Sequence, residues 1–195
     1  MQSLYSLSRV LYIQNNLYSF RNYCVASDNQ KHYEARKLLG FSTDELYEVV
    51  ADIKNYDKFL PFCTKSTILS NDPQQCIANL EIGFPPIVEN YTSIVKLIES
   101  NLVRARCFDG RLFHYLESTW VFNPALESNP RTCLTDYSLK FCFKSKLYSH
   151  IASVFFKYLV QEMENAFINE AVRRYGQPSI SMYKLSPASI SPELK

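Results

Sequence analysis

The run from Leu147 to Val160 constrains this chain most. Its apolar residues are Leu147, Tyr148, Ile151, Ala152, Val154, Phe155, Phe156, Tyr158, Leu159 and Val160, interrupted only by Ser149, His150, Ser153 and Lys157. At about 100° per residue the apolar side chains cover about 240° of a helical wheel. A helix resting on one face of a sheet needs a stripe only a little over about 100° wide. The excess predicts a helix wrapped by protein, or one that closes an apolar cavity. From Gln161 the pattern is more polar, with Glu162, Glu164, Glu170, Arg173 and Arg174. Gly176 and Pro178 mark the stop of a single long helix, Ser145 to Tyr175.

The rest of the chain supplies what that helix packs on. His32 to Leu39 reads as a first strand ending at Gly40. Ser42-Thr-Asp-Glu45 has the spacing of a capping box, and Leu46, Val49, Val50 and Ile53 give the helix after it an apolar face. A short helical piece, Asn55 to Leu60, stops at Pro61 and carries the aromatics Tyr56, Phe59 and Phe62, which are expected to be exposed. Ala78, Leu80 and Ile82 alternate with Asn79 and Glu81 as in a half-buried strand. Tyr91 to Ile98 is the next strand, with an ambiguous inward face, and Val103, Ala105 and Cys107 alternate with Arg104 and Arg106. Asp109-Gly110 predicts a two-residue hairpin turn. Leu112 to Phe122 is an aromatic strand, and Asn123 to Asn129 a loop. The last strand places Cys133, Thr135, Tyr137, Leu139, Phe141 and Phe143 on one face, with Asp136, Ser138 and Lys140 on the other. Consecutive hairpins build an antiparallel sheet, and its apolar face must be covered. Only the terminal helix is long enough to cover it. The predicted fold is therefore α+β, a curved antiparallel sheet of about six or seven strands around a long C-terminal helix. A curved sheet gripping one helix leaves space between them, where ligands bind. The aromatic content, 14 Tyr and 13 Phe, suits a lined pocket or a large core.

Residues 1–27 contain Arg9 and Arg21 but no acid, and carry Ser3, Ser6, Ser8 and Ser19 among scattered apolar residues. This reads as a mitochondrial presequence, because no continuous apolar run suits a secretory signal. Those two arginines account for the formal net charge of +2. The remainder is neutral, with no basic stripe for nucleic acid. Residues 28–176 are expected to form the domain, and 177–195, with five Ser and three Pro, a disordered tail. The six cysteines form no C-x-x-C pair and the three His are scattered, which argues against a metal site. Under reducing conditions the cysteines are expected to be free, mostly buried thiols.

Several motifs in one order carry a resemblance. They are Pro61-Phe62-Cys63, Ile82-Gly-Phe-Pro-Pro86, Tyr91-Thr-Ser93, Asp109-Gly-Arg-Leu-Phe113, Trp120-Val-Phe122 and Pro130-Arg-Thr-Cys133. Phe141-Cys-Phe143, Phe156 and Tyr175-Gly176 complete the set. From about Tyr33 to Gly176 the chain resembles the mitochondrial coenzyme Q-binding START-domain proteins, within the polyketide cyclase/START superfamily. The resemblance implies a helix-grip fold and binding, without catalysis, of ubiquinone or its polyprenylated precursors. It implies a place on the matrix side of the mitochondrial inner membrane, in support of ubiquinone synthesis and respiratory electron transport. The implied partners are the bound quinone, the inner-membrane lipid surface and ubiquinone-synthesis or respiratory complexes. No cofactor is implied beyond ubiquinone as ligand. The chain departs from the family at Phe62, where Trp is usual, at Cys142, where an acid is usual, and at Lys157-Tyr158, which replaces an acidic pair.

The residues expected to line the cavity are Phe62, Leu80, Ile82, Tyr91, Phe113, Trp120, Tyr137, Phe141, Phe155, Leu159 and Met163. A quinone head offers oxygen acceptors, so Tyr91, Thr119 and Tyr137 are candidate donors by strand position. Tyr56, Phe59 and Leu60 on the short helical piece, with Phe84 and Ile87 on the Pro-stiffened turn, are candidates for a membrane gate. The same fold also hosts cyclase- or hydrolase-type catalysts, which need convergent polar groups in the pocket. Glu81, Glu89, Glu99 and Glu117 fall on expected strands without visible pairing. A third class, resembling ribosome-binding toxins of this fold, predicts a basic surface and a filled interior.

Overall fold

The structure is a computed structural model that describes residues 30–72, 75–84, 87–110, 113–144 and 146–185, with the backbone alone at 30, 84, 87, 108–110 and 146–157. The expected presequence, Cys24 and Pro85-Pro86 lie outside the described residues, as do the side chains of Phe84, Ile87, Phe155 and most of the apolar run that opens α2. The elements are β1 (Gln30–Leu39), α1 (Thr43–Ala51), a 3-10 turn (Ile53–Lys58), β2 (Cys63–Asp72), β3 (Gln75–Phe84), β4 (Ile87–Ile98), β5 (Leu102–Gly110), β6 (Phe113–Leu126), β7 (Asn129–Phe143), α2 (Lys146–Tyr175) and β8 (Tyr183–Leu185). The eight strands form one sheet in the order β2-β3-β4-β5-β6-β7-β1-β8, with antiparallel pairing throughout. Register shifts at Cys63/Lys65, Ile68/Ser70, Thr92/Ser93, Phe113/Tyr115 and Pro124/Leu126 sharpen its twist and curvature.

Local chemistry fixes the helices. The Glu45 amide donates to Ser42 Oγ at 3.1 Å, and the Ser42 amide donates to Glu45 Oε2 at 2.9 Å, completing the expected capping box. Leu46, Val49, Val50 and Ile53 are buried as their spacing predicts. At the far end of α2, Gly176 takes φ +79°, and its amide donates to the Val172 carbonyl at 2.9 Å, a left-handed helix stop. Between these ends α2 is held by charge. Glu164 is only 2% exposed and accepts from Lys37 Nζ at 3.1 Å and from the Tyr33 hydroxyl at 2.7 Å. Arg174 donates to Asp52 at 2.6 Å and to Glu170 at 2.7 Å, while Arg173 makes two further bonds to Glu170.

Those arginine bonds hold the buried Glu170 carboxyl at a pKa of about 2, below its ordinary 4.5, despite the opposing effect of burial. A depressed carboxylate stabilises the fold above its unfolded-state pKa and loses that contribution as pH falls through the folded value. Stability is therefore expected to drop between about pH 4.5 and pH 2, and Glu170→Gln to lessen that drop. Urea titrations of both proteins across that interval check it.

Five expectations are corrected. The Asp109-Gly110 turn is absent: both residues extend β5, pairing with Thr92 and Tyr91, and the connection falls on 111–112, outside the described residues. Residues 123–129 are mostly strand, because β6 and β7 are joined by a turn at 127–128 alone. Strand β2 was not expected; it is a sheet edge whose burial does not alternate. Glu99 lies in the β4–β5 turn and not on a strand.

The fifth concerns 177–185, the described part of the 177–195 stretch expected to be disordered; 186–195 lie outside the described residues. Ser179 donates to the Gly40 carbonyl at 2.8 Å, and Tyr183–Leu185 add β8 to the β1 edge. Gly40 is needed for this approach: a Cβ there would lie 2.5 Å from the Ile180 amide nitrogen. Gly40→Ala is expected to release 177–185 and to cost about 1–3 kcal/mol, by analogy with overpacking in cores. Faster proteolytic trimming of the C-terminal segment, with the rest of the chain protected, checks this.

Candidate functional site

Among the described residues the sheet interior holds two apolar clusters of buried side chains. One centres on α1, the 3-10 turn and α2, with Trp120, Phe122, Tyr137 and Phe167; the other gathers Cys107, Phe113, Leu116, Phe141 and Phe143. A small domain usually has one contiguous core. Here the two are parted by a cavity of about 230 Å³.

Alternation along the strands builds its wall. Ala78, Leu80 and Ile82 come from β3, Tyr91, Ser93 and Val95 from β4, and Val103 and Ala105 from β5. The register shift after Phe113 lets both Phe113 and Leu116 of β6 face inward, ahead of Ser118 and Trp120. Tyr137, Leu139, Phe141 and Phe143 of β7 close that side, and Leu159, Val160, Met163 and Phe167 of α2 form the lid. The void has a plain cause in the sequence. Small residues cross the sheet in a diagonal band, Ala78 paired with Ser93 and Ala105 with Ser118. Leu or Phe at those positions would join the two clusters.

Stacked rings make the floor. Trp120 lies 4.4 Å from Tyr137, and Phe167 packs edge-on against Trp120 at 5.3 Å and Tyr56 at 5.4 Å between centroids. At the other end Phe113 meets Tyr91, Phe141 and Phe143 at 5.8, 5.8 and 5.1 Å. Phe62 lies beside this end with φ +68°, unusual for a bulky residue, and its carbonyl accepts from the Gly83 amide at 2.8 Å.

Of the residues expected to line the cavity, Phe62, Leu80, Ile82, Tyr91, Phe113, Trp120, Tyr137, Phe141, Leu159 and Met163 do so, and the Phe155 side chain lies outside the described residues. Among candidate donors, Tyr91 and Tyr137 line the cavity; Thr119 does not, because strand alternation turns it to the opposite face from Ser118 and Trp120. The helical aromatics are not exposed as expected. Tyr56 and Leu60 are buried cavity residues, and Phe59 is wedged against Tyr56 and Phe167. The 3-10 turn rolls them inward, so as drawn from the sequence that part of the gate packs in the core. The Phe84 and Ile87 side chains lie outside the described residues.

The sequence reading missed Ser93 and Ser118 as site residues, since short hydroxyls on strands carry no signal of their own. Among the described residues the cavity lining contains no Asp, Glu, His, Lys or Arg. Its described phenols are Tyr56, Tyr91 and Tyr137, and burial, the largest cause in each, pushes all three above their ordinary value, so they remain neutral. The Tyr56 hydroxyl donates to the Val50 carbonyl, and Tyr137 is hydrogen-bonded to Ser118. Glu81 accepts from Thr64 and Glu117 from Arg106, outside the cavity. Four of the five described cysteines are buried, and desolvation raises Cys133 to about 12 and Cys63 to about 11. No metal-binding group occurs among the described residues, and no described helix is long and apolar enough to cross a membrane.

Comparison with known proteins places this architecture. Residues 39–168 match the family model described as polyketide cyclase / dehydrase and lipid transport. The Drosophila melanogaster protein named mitochondrial coenzyme Q-binding protein COQ10 is 43% identical over 169 residues, which cover 85% of this chain and 70% of that protein. The Escherichia coli ribosome association toxin RatA is 30% identical over 138 residues, covering 71% of this chain and 85% of that one. A Streptomyces aromatase/cyclase named Zhui superposes with a TM-score of 0.65 at 16% identity, covering 74% of this chain and 95% of that one, a likeness of fold alone. The chain therefore belongs to the polyketide cyclase and lipid-transport family, in the group of mitochondrial coenzyme Q-binding START-domain proteins.

Proposed function

We propose that this protein is a non-catalytic carrier that holds ubiquinone, or a polyprenylated precursor, between the sheet and α2. In this reading it works on the matrix side of the mitochondrial inner membrane and delivers its cargo to ubiquinone synthesis or respiratory complexes. The observation that carries the reading is an apolar cavity whose described lining residues include no charged or basic group. A cyclase or hydrolase needs a base or nucleophile with an orienting partner, and neutral phenols do not supply one. The greater identity to the coenzyme Q-binding relative than to the toxin, 43% against 30%, points the same way.

Size refines the picture. An apolar cavity of about 150 Å³ admits benzene, so about 230 Å³ admits a substituted ring and little more. Burying about 200 Å² of apolar ligand surface contributes on the order of 5 kcal/mol. The ring belongs inside, and a long isoprenoid tail leaves past Tyr91, Phe113 and Phe143 into the membrane. The direct test is to purify the full chain from cells that make ubiquinone and extract it for mass spectrometry. Co-purifying quinone supports the carrier; a protein that is lipid-free and rejects added quinone refutes it.

Delivery needs a membrane contact, and with Tyr56 and Leu60 buried it falls to the β3–β4 hairpin. Val88, beside its turn, is 67% exposed. Val88→Asp is expected to lower co-sedimentation with cardiolipin-containing liposomes severalfold, because a carboxylate is disfavoured at an anionic interface. Unchanged co-sedimentation would remove the hairpin from the gate.

A further inference from the structure

Ser93 is out of place in an apolar wall. It sits mid-strand on β4, is 3% exposed, and its Oγ has no hydrogen-bond partner in the structure. Leaving a hydroxyl buried and unpaired is costly, so buried polar groups nearly always have partners. The position does not require Ser for shape, since its neighbour across the strand pair is Ala78. The residue lines the same cavity as Tyr91, two residues along the same strand, and Tyr137 of β7; its Oγ is covered in this rotamer, so donation to a ligand takes a turn about χ1. The other serine there, Ser118, is already bonded to Tyr137.

We propose that Ser93 is the donor that fixes the ligand's polar end, giving its hydrogen bond to a carbonyl or methoxy oxygen of a quinone ring. This deepens the carrier reading and rests on it. An O–H in this wall distinguishes a ring bearing oxygen acceptors from a bare isoprenoid chain. It also sets the direction of entry: the ring goes in first, to the depth of Ser93, and the tail trails toward Phe113 and Phe143. Ser93 thus separates two jobs in one cavity. Apolar walls bind anything oily of the right width, and one hydroxyl selects the ring.

The test compares the full chain with its Ser93→Ala variant, using a short-chain ubiquinone and an isoprenoid hydrocarbon of matching tail, which has no acceptor. Loss of one hydrogen bond is expected to weaken ubiquinone binding about tenfold and to leave hydrocarbon binding unchanged. The variant's melting temperature without ligand is expected to be equal or higher, since the unpaired hydroxyl is gone. In infrared difference spectra the carbonyl stretch of bound ubiquinone is expected to rise toward its position in apolar solvent. Equal ubiquinone affinity in both proteins with an unmoved carbonyl band overturns the assignment while the carrier stands. Equal losses for both ligands make Ser93 a packing residue and likewise overturn it. Failure of the unmodified chain to bind ubiquinone removes the carrier reading itself, and the assignment with it.

Discussion

Replacing Lys37 by Met is expected to destabilise the fold by about 3–5 kcal/mol, the usual cost of leaving one buried charge without its partner. Glu164 reaches into the sheet from the middle of α2, where it is 2% exposed. Lys37 meets it at 3.1 Å and Tyr33 donates at 2.7 Å. Without the ammonium, the carboxylate keeps one O–H donor in a site that water does not reach. It must stay charged there, take up a proton, or pull α2 away from the sheet. Removing both charges has a different outcome. Lys37→Met with Glu164→Leu is expected to fall within about 1 kcal/mol of the original protein, because a buried ion pair gains little over apolar packing once desolvation is counted. Urea denaturation of the two single variants and the double closes the cycle. If the single and double variants are equally unstable, the pair is not what fixes α2. The pair matters for function because it sets the height of the lid over the cavity without using the cavity's own surface.

Ala105→Phe is expected to reduce affinity for a short-chain ubiquinone more than about a hundredfold, a change of about 2.7 kcal/mol. Ala105 faces the cavity from β5, paired with Val95 on one side and Ser118 on the other. A phenyl ring there would occupy the space between the two apolar clusters and bring Trp120 into contact with the Phe113 group. Ordinary cores resist such insertions, at about 1–3 kcal/mol each. A void does not, since the new ring gains dispersion contacts that the empty space lacks. Folding stability is therefore expected to be unchanged or higher while binding is lost, a combination that misfolding cannot produce. Equilibrium titration of quinone, paired with thermal melts, reads both effects. Retained affinity would place the ligand elsewhere on the molecule.

Much of the fold could be read from the sequence, for local reasons. Ser42 and Glu45 cap a helix by spacing alone, and Gly176 ends one because it accepts a positive φ. Alternation on β3 and β7 exposed the inward face directly. On β4 it did not, because Ile94 and Leu97 are partly buried on opposite faces; Lys96 is exposed, and only the sheet shows that Tyr91, Ser93 and Val95 point inward. Asp109-Gly110 misled because a strong turn preference yielded to the pairing of β5 with β4, where the bulge at Thr92/Ser93 absorbs an extra residue. The aromatics of the 3-10 turn misled because a wheel shows amphipathicity but not which side meets the core. The tail misled because its order comes from contacts with residues distant in the chain, at Gly40, Arg131 and the β1 edge, which have no local signature.

The site divides along the same line. Large lining residues such as Trp120, Tyr137 and Phe141 announce themselves as apolar or aromatic on an inward face. Emptiness does not, because it is set by the small residues Ala78, Ser93, Ala105 and Ser118 lying side by side across four strands. Their adjacency is a property of register, and a one-residue slip would send each to the outside.

The central claim is that the middle of this domain is empty in order to take a quinone ring. A crystal structure of the full chain grown with a short-chain ubiquinone tests it most directly. The expected result is ring density between the Trp120–Tyr137 floor and Phe113, with an oxygen within hydrogen-bond distance of Ser93. A centre filled by the protein's own side chains, with the quinone bound elsewhere or not at all, would contradict the account.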